Sequence, residues 1–381
     1  MIHLHEPFLD KSDLKSLTEC YKKGWISTGG DKVKAFEKLI CKITKSKYAI
    51  ATNNCTSALQ ISIMLSGVRP GDEVIVPAIS FIATINSVIY NFGTPLFLDV
   101  DDYFNLDADK TIEFLNKFTY FKNGQTYNKK TKKIIRALVI AHIFGNPANV
   151  HKLKNICKKK NIKIIEDAAE SLGSYHLINK KKIHTGTVGD FGCISFNGNK
   201  VITSGGGGII LTKNHKIEKK IRYIINQSKD DILYFKHNNL GFNMSMTNLH
   251  AAIGLSQLKR LDKVIKIKEK INRFYNVNIK KIKGLNILSK PKNTISNFWL
   301  NILEIDPKIY GVNKTKVIQN LLKNKVNVRS IWYPNHKQKF LKKYQSFEIT
   351  KAIKKYNTSI CLPSGPTLKA YDLKKILSIL K

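Results

Sequence analysis

ALVIAHIFGNPANVHKLKNICKKKNIKIIED, residues 137–167, sets two strand-length apolar runs on either side of a segment with helical periodicity. Ala137–Ala141 and Ile162–Glu166 are short and rich in β-branched residues, with Gly, Asn and Asp at their borders, which is the pattern of buried strands. Between them Val150, Leu153, Ile156 and Cys157 fall on one face of a helix. Strand, helix and strand in this order form a βαβ unit, whose crossover makes the two strands parallel.

Further strands of the same kind lie on both sides of that unit. EVIVP at 73–77, PLFLDV at 95–100 and the run Cys193–Phe196 are apolar, short and bounded by Gly, Asp or Pro. Alternation with helical segments through the first two thirds of the chain predicts α/β layers around a mainly parallel sheet. From Thr247, whose hydroxyl caps it, a helix is predicted that carries Leu255, Leu258, Leu261, Val264 and Ile265 on one stripe and leads out of the large domain. The remainder mixes a strand-like stretch at 297–303 with an amphipathic helix at 314–323, a smaller α+β unit. The expected division is residues 1–250 as a large α/β domain and 251–381 as a small C-terminal domain. The polar, lysine-rich segment 122–133 reads as an exposed hairpin or loop, and no internal repeat is present.

The chain has 381 residues, 43% of them hydrophobic, enough for a packed core of two or three domains. With 65 Lys plus Arg against 27 Asp plus Glu, the formal charge is +38, so an anionic partner has to be weighed. The lysines run through the whole chain among Asn and Ile, the distribution of a coding bias. A nucleic-acid reader would concentrate them with aromatics on one element, and no zinc-finger, RRM or basic-zipper pattern occurs. The expectation is a generically basic surface without a specific nucleic-acid partner. Six scattered cysteines, at 20, 41, 55, 157, 193 and 361, contain no CxxC pair and suggest neither a metal site nor a disulfide framework. Acidic residues interrupt the N-terminal stretch where a signal peptide needs an apolar core, and no apolar run has membrane-spanning length. A cytoplasmic protein without a membrane partner is expected.

Three segments carry candidate chemistry. In SFNGNKVITSGGGG, 195–208, one lysine, Lys200, follows a buried strand and precedes four glycines. Most lysines are merely solvated, but adjacent glycines mark close backbone approach or unusual torsions. In IIEDAAESLGS, 164–174, an acidic pair stands at the C-terminal end of a strand, the edge at which open α/β sheets bind ligands. Asp167 is the better candidate of the two, although an Asp there also suits a simple cap. In NNCTSAL, 53–59, hydroxyls and amides open a helix and offer an anion site, while ordinary capping by Thr56 explains the same letters. An amine, an acid at a strand end and an anion cradle are together what pyridoxal 5'-phosphate requires.

At this point the chain resembles the DegT/StrS family of sugar-nucleotide aminotransferases, fold-type I pyridoxal-phosphate enzymes, over nearly its whole length. The resemblance is carried by GWISTGG at 24–30, NNCTSAL, GDEVIVPAISFIAT at 71–84, HIFGNPAN at 142–149, EDAAESLGS at 166–174, SFNGNK ending at Lys200, and LGFNMSMTNLHAAIGLSQL at 240–258. Within the family TYNKKT at 126–131, the glycine run and QSKDD at 227–231 look most like aminotransferases of legionaminic acid and bacillosamine pathways. Those act on nucleotide-linked 2-acetamido-4-keto-6-deoxyhexoses.

The resemblance implies a seven-stranded, mainly parallel sheet and a homodimer with shared active sites. It implies that Lys200 forms the internal aldimine, Asp167 pairs with the ring nitrogen and Phe81 stacks on the ring. Thr56, Ser57 and Ser195 would bind the phosphate, and Asn243 would reach the phosphate in the neighbouring subunit. Glu170 and His142 would lie near the ring, and Arg329, Trp332 and His336, in RSIWYPNHKQ, near the substrate entrance. Glutamate would be the amino donor and a nucleotide sugar the acceptor. Core packing for Phe81, a turn for Asn243 and surface ion pairing for Arg329 are the plainer readings.

Two positions depart from the family. Cys55 stands where the phosphate turn usually has Gly, and a positive φ there would cost about 1 kcal/mol or more. Ser245 stands where an Arg is common. A 3-dehydratase of the same family would carry His in place of Lys200. A catalytically silent or regulatory paralogue of the same fold, and an aminotransferase acting on a 3-keto sugar, would each be compatible with the same motifs.

Overall fold

The computed structural model describes residues 1–381. Eight strands, numbered along the chain, form the large sheet: β1 Tyr48–Thr52, β2 Glu73–Pro77, β3 Thr94–Leu98, β4 Ile135–Ala141, β5 Lys163–Asp167, β6 Phe191–Ser195, β7 Gly208–Thr212 and β8 Ser346–Phe347. Their order across the sheet is β1-β7-β6-β5-β4-β2-β3-β8. Only β7 is antiparallel to its neighbours. The seven strands expected are thus joined by an eighth, two residues long, which the C-terminal third lends to the edge of β3. Nothing in two residues can signal a strand; the pairing is made by the neighbour.

Alternation of side chains fills both faces. Val74 and Val76, Phe97, Ala137 and Val139, and Ile165 share one core cluster, while Ile75, Leu96 and Leu98, Leu138 and Ile140, and Ile164 belong to another. Runs without polar interruption are what a sheet covered on both sides demands. The βαβ unit read from 137–167 is present: β4 and β5 pair in parallel, and the helix Val150–Lys159 buries Val150, Leu153 and Cys157. Segment 122–133 includes the turn and second strand of a hairpin, Thr119–Lys122 with Gln125–Asn128, whose turn residues Asn123 and Gly124 both have positive φ, as a tight two-residue turn requires.

Thr247 caps its helix through a bond from the N–H of His250, but that helix is Asn248–Leu258 and a second one, Leu261–Ile279, follows. The single stripe expected from Leu255 to Ile265 is therefore broken at Lys259 and Arg260. Arg260 turns its guanidinium onto Asp13 and Asp10 and ties the break to the N-terminal region.

A four-stranded sheet, Leu285–Ile287, Asn301–Ile305, Ser359–Leu362 and Arg329–Ser330, is built from the C-terminal third. Its core is drawn from residues 271–380 together with Ile2. Ile2 bridges Val326, and the N–H of Ser364 donates to Leu4 O at 2.7 Å, so the first residues lie as a strap across this part. Lys268, fully buried, donates to Ser364 O at 2.6 Å and meets His5 Nε2 at 3.1 Å beneath the strap. Burial lowers its amine pKa to about 7.

Candidate active site

The C-terminal ends of the parallel strands open into a cavity of about 690 Å³. That edge is where such sheets place ligands. Of the expected residues, Thr56, Phe81, His142, Asp167, Glu170, Ser195, Lys200, Arg329 and Trp332 line it, and Ser57, Asn243 and His336 do not.

Asp167 ends β5, and its carboxylate accepts the Thr84 hydroxyl at 2.6 Å and the Ala169 N–H at 3.1 Å. Phe81 precedes the helix Ile82–Tyr90 and is 58% exposed, so core packing does not explain it. Ser195 ends β6.

The helix after β1 begins at Cys55, and its cap is Asn54, which accepts the Ser57 N–H at 2.8 Å. The capping role open to Thr56 is thus filled elsewhere, and Thr56 faces the cavity at a helix N-terminus, where the first N–H groups lack intrahelical partners. Ser57 is turned inward and buried. Cys55 is in helical conformation and absent from the positive-φ residues, so the strain expected of a Cys there does not arise. Burial, and then the charge of Asp167, push its thiol pKa up.

The glycine run does what its cost implies. Gly205 and Gly207 have φ of +80° and +122°, and a Cβ on Gly208 would lie 2.5 Å from the backbone of Asn54. Only a bare backbone lets β7 begin against the turn that leads into the Cys55 helix.

Lys200 Nζ lies 3.9 Å from Glu170 Oε1 and 4.0 Å from the centroid of the Trp299 ring. Glu170 is buried; desolvation raises its pKa to about 7, opposed by the Lys200 charge and by the N–H of Phe144, which donates at 2.7 Å. His142 accepts the N–H of Ala148 at Nδ1, 2.9 Å, so its proton sits on Nε2 and is donated to Glu166 at 3.0 Å. Glu166 also accepts three N–H groups, from Gly186, Val188 and Gly189. Desolvation works against ionisation, but these bonds hold the carboxyl pKa well below the usual range. His142, Glu166 and His176 place potential ligand atoms within 4.8 Å of one another. With its Nε2 protonated and its Nδ1 lone pair taken, His142 offers a metal nothing.

Asn243 is exposed and bridges Asn226. Ser245 donates to Ile225 O at 3.2 Å and bridges Thr52, a structural bond in place of the familiar cation. His336 is turned toward Phe97, with ring centroids 6.4 Å apart, because Asn335 pins its loop to Ala78 O and to Ser80. His336 therefore stands behind the cavity wall and does not line it. Trp332 stays at the cavity, packed against Phe144 and Trp299.

Sequence reasoning missed Thr84, Trp299 and the N-terminal residues His3–Glu6, all of which line the cavity. A signal for Trp299 exists in SNFWLN, 296–301, where two aromatics stand between two amides at the entry to a strand.

An amine, a hydrogen-bonded carboxylate at a strand end, an exposed aromatic ring and a helix N-terminus with hydroxyls converge on one cavity. These residues fit pyridoxal phosphate, with Gly206 and Gly207 bringing bare backbone to the cavity wall. The architecture and the site define a fold-type I pyridoxal-phosphate enzyme.

The chain belongs to the DegT/DnrJ/EryC1/StrS aminotransferase family, whose pattern covers residues 7–381. It is 30% identical to a GDP-perosamine synthase of Vibrio cholerae over 384 residues, covering 100% of this chain and 98% of that one. It superposes on Helicobacter pylori PseC, an aminotransferase involved in the biosynthesis of pseudoaminic acid, with a TM-score of 0.88 at 23% identity, over 100% of this chain and 98% of the other. A putative sugar aminotransferase from Streptococcus pneumoniae in its PLP form gives 0.87 at 21%, over 100% and 97%. The protein is therefore a pyridoxal-phosphate-dependent aminotransferase of the sugar-nucleotide family. No helix is long and apolar enough to cross a membrane.

Proposed function

We propose that the enzyme transfers the amino group of glutamate to a nucleotide-linked keto-deoxyhexose, a UDP-2-acetamido-2,6-dideoxy-4-keto-hexose, in amino-sugar synthesis for surface glycans. The observation that carries the reading is the meeting of Lys200, Asp167 and the Thr56 turn in one cavity. Bound pyridoxal phosphate supplies an aldehyde that takes up the amino group and a protonated ring that accepts the electrons of the broken C–H bond.

Lys200 would hold the cofactor through its aldehyde and, as the free amine, would carry the proton that leaves the donor α-carbon. Asp167, oriented by Thr84 and Ala169, keeps the proton on the ring nitrogen. Thr56, Ser195 and the helix N-terminus hold the phosphate, with Ser57 behind them. Phe81, exposed at the cavity, would cover the ring, and Glu170 stands beside the amine. Arg329 and Trp332 border the substrate side.

In the proposed cytoplasmic homodimer, Asn243 of one subunit reaches the phosphate in the other. Its exposure, and that of Ile232, Leu233, Tyr234, Phe235 and Leu240 just before it, supports such an interface. Residues 1–250 form the cofactor-binding part and 251–381 the smaller one, a division supported by the separate core around Ile271–Leu380.

The likeness to GDP-perosamine synthases favours a second substrate arm, a GDP-linked 4-keto-6-deoxyhexose. Incubation with glutamate and a panel of UDP-, GDP- and dTDP-linked 4-keto and 3-keto sugars, with products read by mass spectrometry and NMR, tests the assignment. Amine at C4 of the UDP sugar is the expected outcome. Amination at C3, or no amination, overturns it.

A further inference from the structure

Lys200 is held from two sides by groups that share a single support. The indole of Trp299 lies under its ammonium and the carboxyl of Glu170 beside it, at 4.0 Å and 3.9 Å. Asn297 fixes both. Its Oδ1 accepts the Trp299 N–H at 2.9 Å, and its Nδ2 donates to Glu170 O and Leu172 O, each at 2.9 Å. The indole N–H donates to Asn199 O at 2.7 Å, one residue before the lysine. Asn297 occupies space left by Gly145, where φ is +89° and a Cβ would stand 1.9 Å from Oδ1. Trp299 itself is 3% exposed. Core filling needs no such set of directed bonds.

We propose that Trp299 and Glu170 form a built resting place for the free Lys200 amine, with Trp299 as a positioning residue that keeps the displaced lysine in reach of the proton it carries. The inference rests on the proton-carrying role of Lys200. A lysine released from its bond has a long, rotatable stem, and an indole face attracts its ammonium most strongly where water is excluded. Glu170 completes the balance: a proton leaving the ammonium can pass to the carboxylate, giving a neutral amine and a neutral acid. Burial already favours the protonated acid.

Trp299→Phe keeps a π-face, and Trp299→Leu keeps apolar bulk without one. If Trp299 acts as proposed, Leu lowers kcat roughly tenfold or more with KM for glutamate changed less than about twofold, while Phe stays within about threefold of wild type. In the cofactor-free full chain, the ¹³C-methyl resonance of reductively methylated Lys200, held over the indole in wild type, loses its ring-current shift in Leu and keeps most of it in Phe. Equal behaviour of Phe and Leu, or an unmoved Lys200 resonance, overturns the inference. Trp299→Met serves as the non-aromatic variant if Leu does not fold. Borohydride reduction and peptide mapping of wild-type holoenzyme separate the two levels. An unlabelled Lys200 breaks the functional reading and this inference together, whereas a labelled Lys200 with indistinguishable Phe and Leu variants breaks this inference alone.

Discussion

Glu166 and Glu170 stand four residues apart, both buried, in the same EDAAE segment, yet they behave in opposite ways. Glu166 is saturated by three backbone N–H groups and His142, and its carboxyl stays ionised. Glu170 receives one backbone N–H at 2.7 Å and a lysine at 3.9 Å, and its carboxyl is poised to hold a proton. Burial is common to both, so the hydrogen-bond supply makes the difference. A satisfied buried acid braces the loop that leads into β6; an under-supplied one, with a single backbone N–H and a lysine at 3.9 Å, is free to exchange protons.

Substitutions around this pair separate chemistry from bracing. The largest effect is expected for Lys200→Ala, which loses the visible absorbance of the cofactor imine and all turnover. Transamination by that variant would remove the basis of the reading. Asp167→Asn, on the cavity side, keeps cofactor binding but loses most of the rate, as a spectral titration beside steady-state kinetics will show. Glu166→Ala strands three N–H groups and a histidine, and a loss of about 3–5 kcal/mol in chemical denaturation is expected; a loss below about 1 kcal/mol would mean the bracing is unimportant.

Glu170→Gln acts on pH dependence. The native carboxyl pKa, raised from 4.5 to about 7, means the folded chain binds more protons than the unfolded one between those values. Its contribution to the stability of the cofactor-free chain is present below pH 4.5 and fades as pH rises toward 7, by an order of a few kcal/mol. Melting curves of Glu170→Gln should lack that slope. Glu166 has the opposite sign: its stabilisation is present at neutral pH and is lost on acidification. The smallest effect is expected for Cys55→Gly. With no positive φ to relieve, it should destabilise by about 0.5–1 kcal/mol, and a stabilised variant would restore the case for strain.

Legibility in the sequence followed the distance over which each feature is decided. The five parallel strands from β2 to β6 and the βαβ unit were readable because an uninterrupted apolar run has one use in a covered sheet, whereas β1 and the antiparallel β7 were not singled out. Lys200 and Asp167 were readable because their neighbours, four glycines and a strand end, are unusual in themselves. That Ser57 and His336 lie off the cavity wall was not legible, since Asn54, three residues before Ser57, and Asn335, next to His336, fix those stretches through bonds that no periodicity shows. Trp299 and Asn297 reach the lysine from about a hundred residues away, and the break before Leu261 depends on Arg260 finding Asp13. These are decisions of tertiary structure.

The N-terminal strap has a consequence for how the enzyme comes into being. Ile2 and Leu4 find their partners at Val326 and Ser364, so residues 2–4 wait for segments more than three hundred residues later before that wall can close. While the chain is still emerging from the ribosome, the sheet and its anion-binding turn can form, but the vessel that holds the vitamin has no closed side. Loading with B6 into a finished pocket therefore waits for the synthesis of residue 364.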